Sequence, residues 1–219
     1  MQKYYKLLQT NELFADFQLF ELTKILGCLS ARVSFYHKKD IIIQQGSEVK
    51  DVGIVLSGGI QVIQEDLNGN INILSHLGVN DVFAETFAYA NLKECPVTVQ
   101  ATNDSEIMFI DCKRLLHTCS HACVFHWKLI ENMLAMIAKK NVFLSQKMEI
   151  ISKRSIREKL LAFFNTQITL KHTRTFTIAY NREALAFYLG VDRSALSREL
   201  SRMQNDGLIK FNKNHFEIL

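Results

Sequence analysis

Between Cys123 and Ser152 the chain runs "CVFHWKLIENMLAMIAKKNVFLSQKMEIIS", with neither proline nor glycine. Nothing in that stretch breaks a helix, and at about 1.5 Å per residue it makes a rod roughly 40 Å long. Ile130, Met133, Ile137, Leu144, Met148 and Ile151 recur at gaps of three or four, or their sum, with Asn141 in the one gap of seven. A seam of this kind requires a partner helix. Leu129, Leu134, Met136, Val142 and Phe143 lie outside it and supply a second apolar face. One face can serve the chain's own domain and the other a twin chain. The pattern therefore predicts a homodimer with Ile130, Met133, Ile137, Leu144 and Met148 at its interface.

The segment before this helix has a different texture. After a helical stretch from Glu21 to about Leu29, residues from Phe35 to Cys112 alternate short Val-, Ile- and Phe-rich runs with glycine-bearing breaks. The runs are "DIIIQQGSEV", "DVGIVLSGGIQVIQED", "INILSHLGVNDVF" and "VTVQATNDSEIMFID". They predict an antiparallel β-barrel or sandwich. Asn68-Gly69 can supply the positive φ angles of a tight hairpin, and Ser57-Gly58-Gly59 marks a second turn. "KRLLHTCS" reads as a short helix leading into the long one.

Charge divides the chain. Residues 1–150 carry 14 basic and 16 acidic side chains, net −2, whereas residues 151–219 carry 12 and 6, net +6. A small basic module behind a near-neutral one points to an anionic polymer, nucleic acid first. Its local pattern agrees. "KRSIREKLLAFFNTQ" is an amphipathic helix, "TFTIAY" a short strand, and "NREALAFYLGVDRSALSRELSRMQNDGLIKF" two helices joined at Leu189-Gly190-Val191. Asn181 and Asp192 are placed as N-caps, Gly190 permits the turn, and Ala186 is small enough for close helix packing. Leu196, Leu200 and Met203 face inward, leaving Arg193, Ser194, Ser197 and Arg198 on the free flank. "GLIKFNKNHFEIL" closes as a hairpin with Asn212-Lys213-Asn214 at its tip. This is a winged helix-turn-helix, whose second helix enters the DNA major groove.

Bulk properties exclude other classes. An apolar fraction of 48% with 22% charged residues is ordinary for a soluble globular chain. No apolar run approaches the roughly 18 residues of a membrane span. The start, "MQKYYKLLQTNELF", lacks the pattern of a signal peptide. Five cysteines at irregular spacing do not form a secreted disulfide framework. A cytoplasmic protein with reduced thiols is expected.

In this order the pieces resemble the Crp/Fnr family of bacterial transcription factors, the catabolite-activator and fumarate-nitrate regulators. The resemblance rests on "IIIQQG", "VLSGGIQVIQ", "GVNDVFAE", the long helix and "LGVDRSALSRELSRMQNDGLI". It implies an α+β chain with two domains. Residues 1–150 form an effector-sensing, jelly-roll β-barrel of the cyclic-nucleotide-binding type, with the dimerisation helix at about 123–151. Residues 151–219 form the winged helix-turn-helix. It places base reading on Arg193, Ser194, Ser197 and Arg198, and phosphate contact on Asn181 and Lys213. Double-stranded DNA with a palindromic operator, a second copy of the chain and RNA polymerase are the implied partners, with no enzymatic activity. Arginine suits guanine O6 and N7, and serine suits several base edges.

The sensor pocket departs from the family. Cyclic-nucleotide-binding members hold the ribose with Gly-Glu-Leu and the phosphate with Arg-Ser; here those places hold Ala84-Glu85-Thr86 and Cys95-Pro96. A buried cyclic phosphate without a cation is poorly compensated, which argues against a cyclic nucleotide. Cys28 stands alone where iron–sulfur members carry a cluster, and no haem ligand occupies Ala84–Thr86, so no cofactor is expected. An apolar pocket around Glu85, Thr86, Phe87, Tyr89, Cys95, Val142 and Phe143 suits a small organic effector.

The stretch "HTCSHACVFH" falls at the corner before the long helix. A break near Ser120 would separate His117 and Cys119 from Cys123 and His126, and with His121 the group is read as scaffold rather than a metal site. Two alternatives remain. One is a thiol or metal sensor using Cys95, Cys112, Cys119 or Cys123. The other is a cupin-like enzyme, for which the barrel run offers only His76 and Glu85.

Overall fold

The computed structural model describes residues 2–65, 71–90, 92–116 and 124–219. The chain divides into two compact units, the first ending at Met136 and the second spanning Ile137–Leu219. The boundary falls inside the long helix, whereas the sequence suggests a division near residue 150.

The first unit opens with helices α1 (Tyr5–Gln9) and α2 (Leu19–Cys28). Eight strands follow: β1 (Arg32–Tyr36), β2 (Ile41–Ile43), β3 (Asp51–Ser57), β4 (Ile60–Glu65), β5 (Ile71–Leu77), β6 (Val82–Phe83), β7 (Thr98–Ala101) and β8 (Ser105–Asp111). Short helix α3 (Glu85–Tyr89) follows β6, and α4 (Cys112–Leu116) follows β8. The strands form two antiparallel four-stranded sheets, ordered β1-β8-β3-β6 and β2-β7-β4-β5. Both contribute to one core, with Val55, Ile107 and Phe109 from the first and Ile60 and Val99 from the second. This is the antiparallel sandwich that the short apolar runs predict, in the jelly-roll form that the family resemblance implies. Its β4 and β5 arms pair from Ile60↔Leu77 to Glu65↔Ile71. The turn read at Asn68-Gly69 lies outside the described residues.

Strands β3 and β8 read as continuous apolar runs rather than alternating ones because they are buried on both faces. Val52, Ile54, Leu56, Met108 and Ile110 point into a second core with α1, α2 and the long helix, while Val55, Ile107 and Phe109 point between the sheets. The long helix α5 (Val124–Ile151) enters that second core through Leu129, Met133 and Met136, at i, i+4 and i+7. Asn132 Nδ2 donates to the carbonyls of Leu13 (3.2 Å) and Ala15 (3.0 Å), and the Lys128 ammonium lies 4.8 Å from the Phe17 ring. The sequence reading put Met133 in the dimer seam. The structure corrects this: Met133 is buried in its own unit. A stripe drawn at wide gaps cannot decide the rotation of a helix, and contacts with α1 and α2 do.

The second unit comprises the rest of α5, α6 (Ile156–Lys171), β9 (Thr175–Thr177), α7 (Arg182–Leu189), α8 (Arg193–Asn205), β10 (Ile209–Asn212) and β11 (His215–Ile218). Ser155 caps α6: its Oγ accepts from the Glu158 N–H, and the Glu158 carboxylate accepts from the Ser155 N–H. Ile150, Leu160, Phe163, Phe164, Phe176 and Phe216 anchor a core closed by the sheet β10-β11-β9. No helix among the described residues is long and apolar enough to cross a membrane.

Gly58 makes the turn between β3 and β4. Its φ is +82°, and an added Cβ would stand 2.3 Å from Ser105 Oγ and 2.4 Å from the Asp104 carbonyl. Gly58→Ala combines a left-handed backbone with an overpacked site, and is expected to lower unfolding stability by about 2 kcal/mol or more. Urea denaturation of the full chain would check this.

Candidate nucleic-acid interface

Helices α7 and α8 are held by the caps their sequence announces. Asn181 Oδ1 accepts from the Ala184 N–H at 2.8 Å, and Asp192 Oδ1 accepts from the Ala195 N–H at 2.8 Å. Between the helices Gly190 adopts φ +61°, and the Val191 N–H returns to the Ala186 carbonyl at 3.0 Å. Leu196, Leu200 and Met203 are fully buried, which sets the rotation of α8. Its opposite flank presents Arg193, Ser194 and Arg198 to solvent, with Ser197 half-buried. Arg193 and Arg198 take part in no salt bridge among the described residues.

The acidic neighbours of that flank are each engaged. The Ser194 hydroxyl donates to Asp192 at 2.6 Å, and this bond with the Ala195 N–H holds the Asp192 carboxyl below its ordinary range. Ser194 therefore serves the cap, where the sequence reading assigned it to bases. Glu199, largely buried, accepts from Arg157 Nε of α6 at 2.6 Å and lies 3.6 Å from Arg202, while Arg157 also reaches Asp206 at 2.8 Å. An ion pair thus ties α8 to α6. Removing Arg157 would leave the Glu199 charge poorly solvated.

Sequence reading missed Arg182. Its guanidinium lies 5.2 Å from the Phe211 ring centroid and 6.0 Å from that of Phe216, and Nη2 donates to the Lys213 carbonyl at 3.2 Å. Burial lowers its pKa, yet a guanidinium stays charged at any physiological pH. Lys213 itself is exposed with φ +54°, and Asn214 Nδ2 donates to the Ile178 carbonyl at 2.9 Å. The hairpin tip is therefore fastened from both sides. The signal in the sequence was an arginine at the first helical position and two phenylalanines flanking the tip, joined only by the fold.

The residues read as an effector pocket do not all meet. Glu85 is buried at the start of α3, just after Ala84 at φ +65°, and Thr86 beside it is exposed. Phe87 packs on the inter-sheet core and Tyr89 on the helical one. Residues two apart on a helix point about 200° apart, so one lining cannot hold both rings. The Tyr89 hydroxyl is buried beside the Cys112 thiol, and burial raises both groups. Cys95 is buried, its backbone paired with Ser47 and Gly46. Val142 and Phe143 are exposed, Phe143 lying 6.3 Å from Tyr188. A cleft of about 400 Å³ does exist in this unit, but Arg32, Tyr36, Ile41, Ile43, Asp51 and Phe109 line it. Arg32 is bound there to Asp51 at 2.7 Å. His117, Cys119, His121 and Cys123 lie outside the described residues; His126 is buried.

On α5 the remaining seam residues Ile137, Leu144 and Met148 are exposed, Met148 by 65%, and Ile130 is partly buried. Trp127 and Leu134, 60% and 66% exposed, stand in line with them.

Residues 33–121 match the cyclic nucleotide-binding domain, and residues 158–219 match the Crp-like helix-turn-helix domain. Solved structures share the fold. Catabolite activator protein of Thermus thermophilus is 18% identical over 95% of this chain and 94% of its own, with a TM-score of 0.51. DNR of Pseudomonas aeruginosa is 19% identical over 100% and 95%, with a TM-score of 0.51. The c-di-GMP-responsive regulator CLP of Xanthomonas campestris is 15% identical over 92% and 99%, with a TM-score of 0.58. No curated protein sequence matches significantly. A cyclic-nucleotide-binding-type domain followed by this helix-turn-helix defines a DNA-binding transcriptional regulator. Across both domains the chain resembles the Crp/Fnr regulators.

The fastening of the tip has a measurable consequence. Arg182→Gln is expected to weaken binding to cognate and scrambled DNA by the same factor, because phosphate contacts position the protein without reading sequence. Titration of both duplexes by fluorescence anisotropy would check this.

Proposed function

We propose that the chain acts as a cytoplasmic homodimer on a palindromic operator, reading base edges with Arg193 and Arg198 and touching phosphates through Lys213 and Asn181. The observation that carries this reading is the exposed Arg193–Arg198 flank of α8, whose two arginines enter no salt bridge among the described residues although every acidic neighbour is engaged. Arg198 feels the Asp192 carboxylate only at long range, and a guanidinium outside any salt bridge can form the bidentate pair with guanine. Ser197, half-buried, borders the same flank, and Asn181 keeps its amide nitrogen after capping α7. A two-fold dimer would set half-sites about 34 Å apart. RNA polymerase is the partner through which such a regulator acts.

The effector is a small organic molecule bound by the first unit rather than a cyclic nucleotide. The support is chemical: Cys95 and Pro96 stand where a phosphate would require a cation, and Cys95 is 2% exposed. A thiol-sensing role for Cys112 finds less support, since burial raises its pKa and suppresses the reactive thiolate.

Arg198→Ala is expected to cost about 1–3 kcal/mol at the cognate operator and to relax specificity. Binding of cognate and scrambled duplexes by the wild type with equal affinity, whatever extract or metabolite is added, would sink the reading. Ile137→Glu would place a charge beside its own copy, and should give monomers in sedimentation and lose operator binding.

A further inference from the structure

With Met133 taken into the core, the outward face of α5 acquires a stricter order. From Trp127 to Ile151 its apolar side chains repeat at intervals of alternately three and four, provided Asn141 fills the one remaining place. That is an a/d seam sustained for more than three heptads, with Trp127, Leu134, Asn141 and Met148 at the a positions. We propose that Asn141 is the residue that confines α5 to a parallel, in-register pair of two copies, by facing its own copy across the two-fold axis. This rests on the homodimer reading and adds to it what selects the geometry.

The seam is of a size to hold two chains. Its exposed side chains would cover roughly 700 Å² on each copy, close to the 800 Å² or so per partner of a stable interface. Apolar burial alone does not choose an arrangement, however. Leucine at a with isoleucine at d, as at Leu134 and Ile137, shifts coiled coils towards trimers and tetramers. Flanking charges do not correct this. In a parallel pair Lys140 would meet Ser145 of the other copy and Lys147 would meet Ser152, so no opposite charges set the register.

That leaves the amide. Ser145 Oγ donates to Asn141 Oδ1 at 3.3 Å, which occupies one of the two lone pairs on that oxygen. The second lone pair can accept an N–H from the other copy's asparagine. In the parallel, in-register pair Asn141 meets Asn141. In a shifted or antiparallel arrangement the amide meets apolar side chains and is buried without a partner, and a single asparagine at an a position also specifies oligomer state at a cost in stability. The residue weakens the pair and excludes its competitors.

Sedimentation equilibrium of the full chain and of Asn141→Leu tests this. Asn141 is exposed within one chain, so the variant should fold, which its circular dichroism would verify. The wild type should show monomer and dimer only. Asn141→Leu should associate about tenfold more tightly or more, and should form species larger than a dimer. An unchanged dissociation constant, or tighter association that still stops at the dimer, overturns the proposal while leaving the homodimer intact. A wild type that stays monomeric at micromolar concentration removes the homodimer reading, and this proposal with it.

Discussion

The burial of Leu129, Met133 and Met136 against α1, α2 and one sheet is the contact on which much of the rest depends. Three side chains on one stripe determine how α5 is rotated about its own axis. Trp127 and Leu134 on the opposite side of the same turns then face outward, because neighbours on a helix keep fixed angles to one another. The polar anchors act in the same direction. Asn132 satisfies two carbonyls in the turn around Leu13 and Ala15, groups that would otherwise be left without partners in a covered site. An amide that bridges a helix to a loop has a narrow range of positions, so it resists rotation more than an apolar contact would.

The second unit solves a related problem with charge. A recognition helix needs its basic flank free, yet this α8 carries acidic residues close by. Each is assigned a partner: Asp192 its cap and Ser194, Glu199 the guanidinium of Arg157, Asp206 the same guanidinium. Anions neutralised by internal partners repel phosphate less, and the long-range field of the module stays positive. The exposed ion pairs contribute little to stability on their own. Their value is in directing which charges remain unanswered.

The sensor side was read from the sequence with less success, and the cause is geometric. Glu85, Thr86, Phe87 and Tyr89 are consecutive or nearly so, and proximity in the chain suggested one pocket. A helical turn at α3 distributes them instead between solvent, the inter-sheet core and the helical core. The cleft in the first unit gathers Arg32, Tyr36, Ile43 and Asp51 from three successive strands and Phe109 from β8, far along the chain. Spacing along a chain cannot reveal such a set, because strand pairing brings its members together.

Local chemistry was legible without coordinates wherever a residue acts on its own neighbours. The caps at Asn181 and Asp192, the turns at Gly58 and Gly190, the inward stripe of α8 and the length of α5 are all short-range consequences of side-chain hydrogen bonding, positive φ and helical periodicity. The switch from short strands to long helices likewise announced an antiparallel β-barrel or sandwich followed by a winged helix-turn-helix, and the family resemblance implied the jelly-roll. Long-range choices were not legible. Which of two apolar stripes on α5 is buried, the cradle of Arg182 between Phe211 and Phe216, the engagement of Glu199 by Arg157 and the separation of Phe87 from Tyr89 each join residues far apart in sequence or set the rotation of an element against a distant one. Such pairings are decided by which surfaces bury most apolar area while leaving polar groups bonded, and only the assembled tertiary structure compares those alternatives.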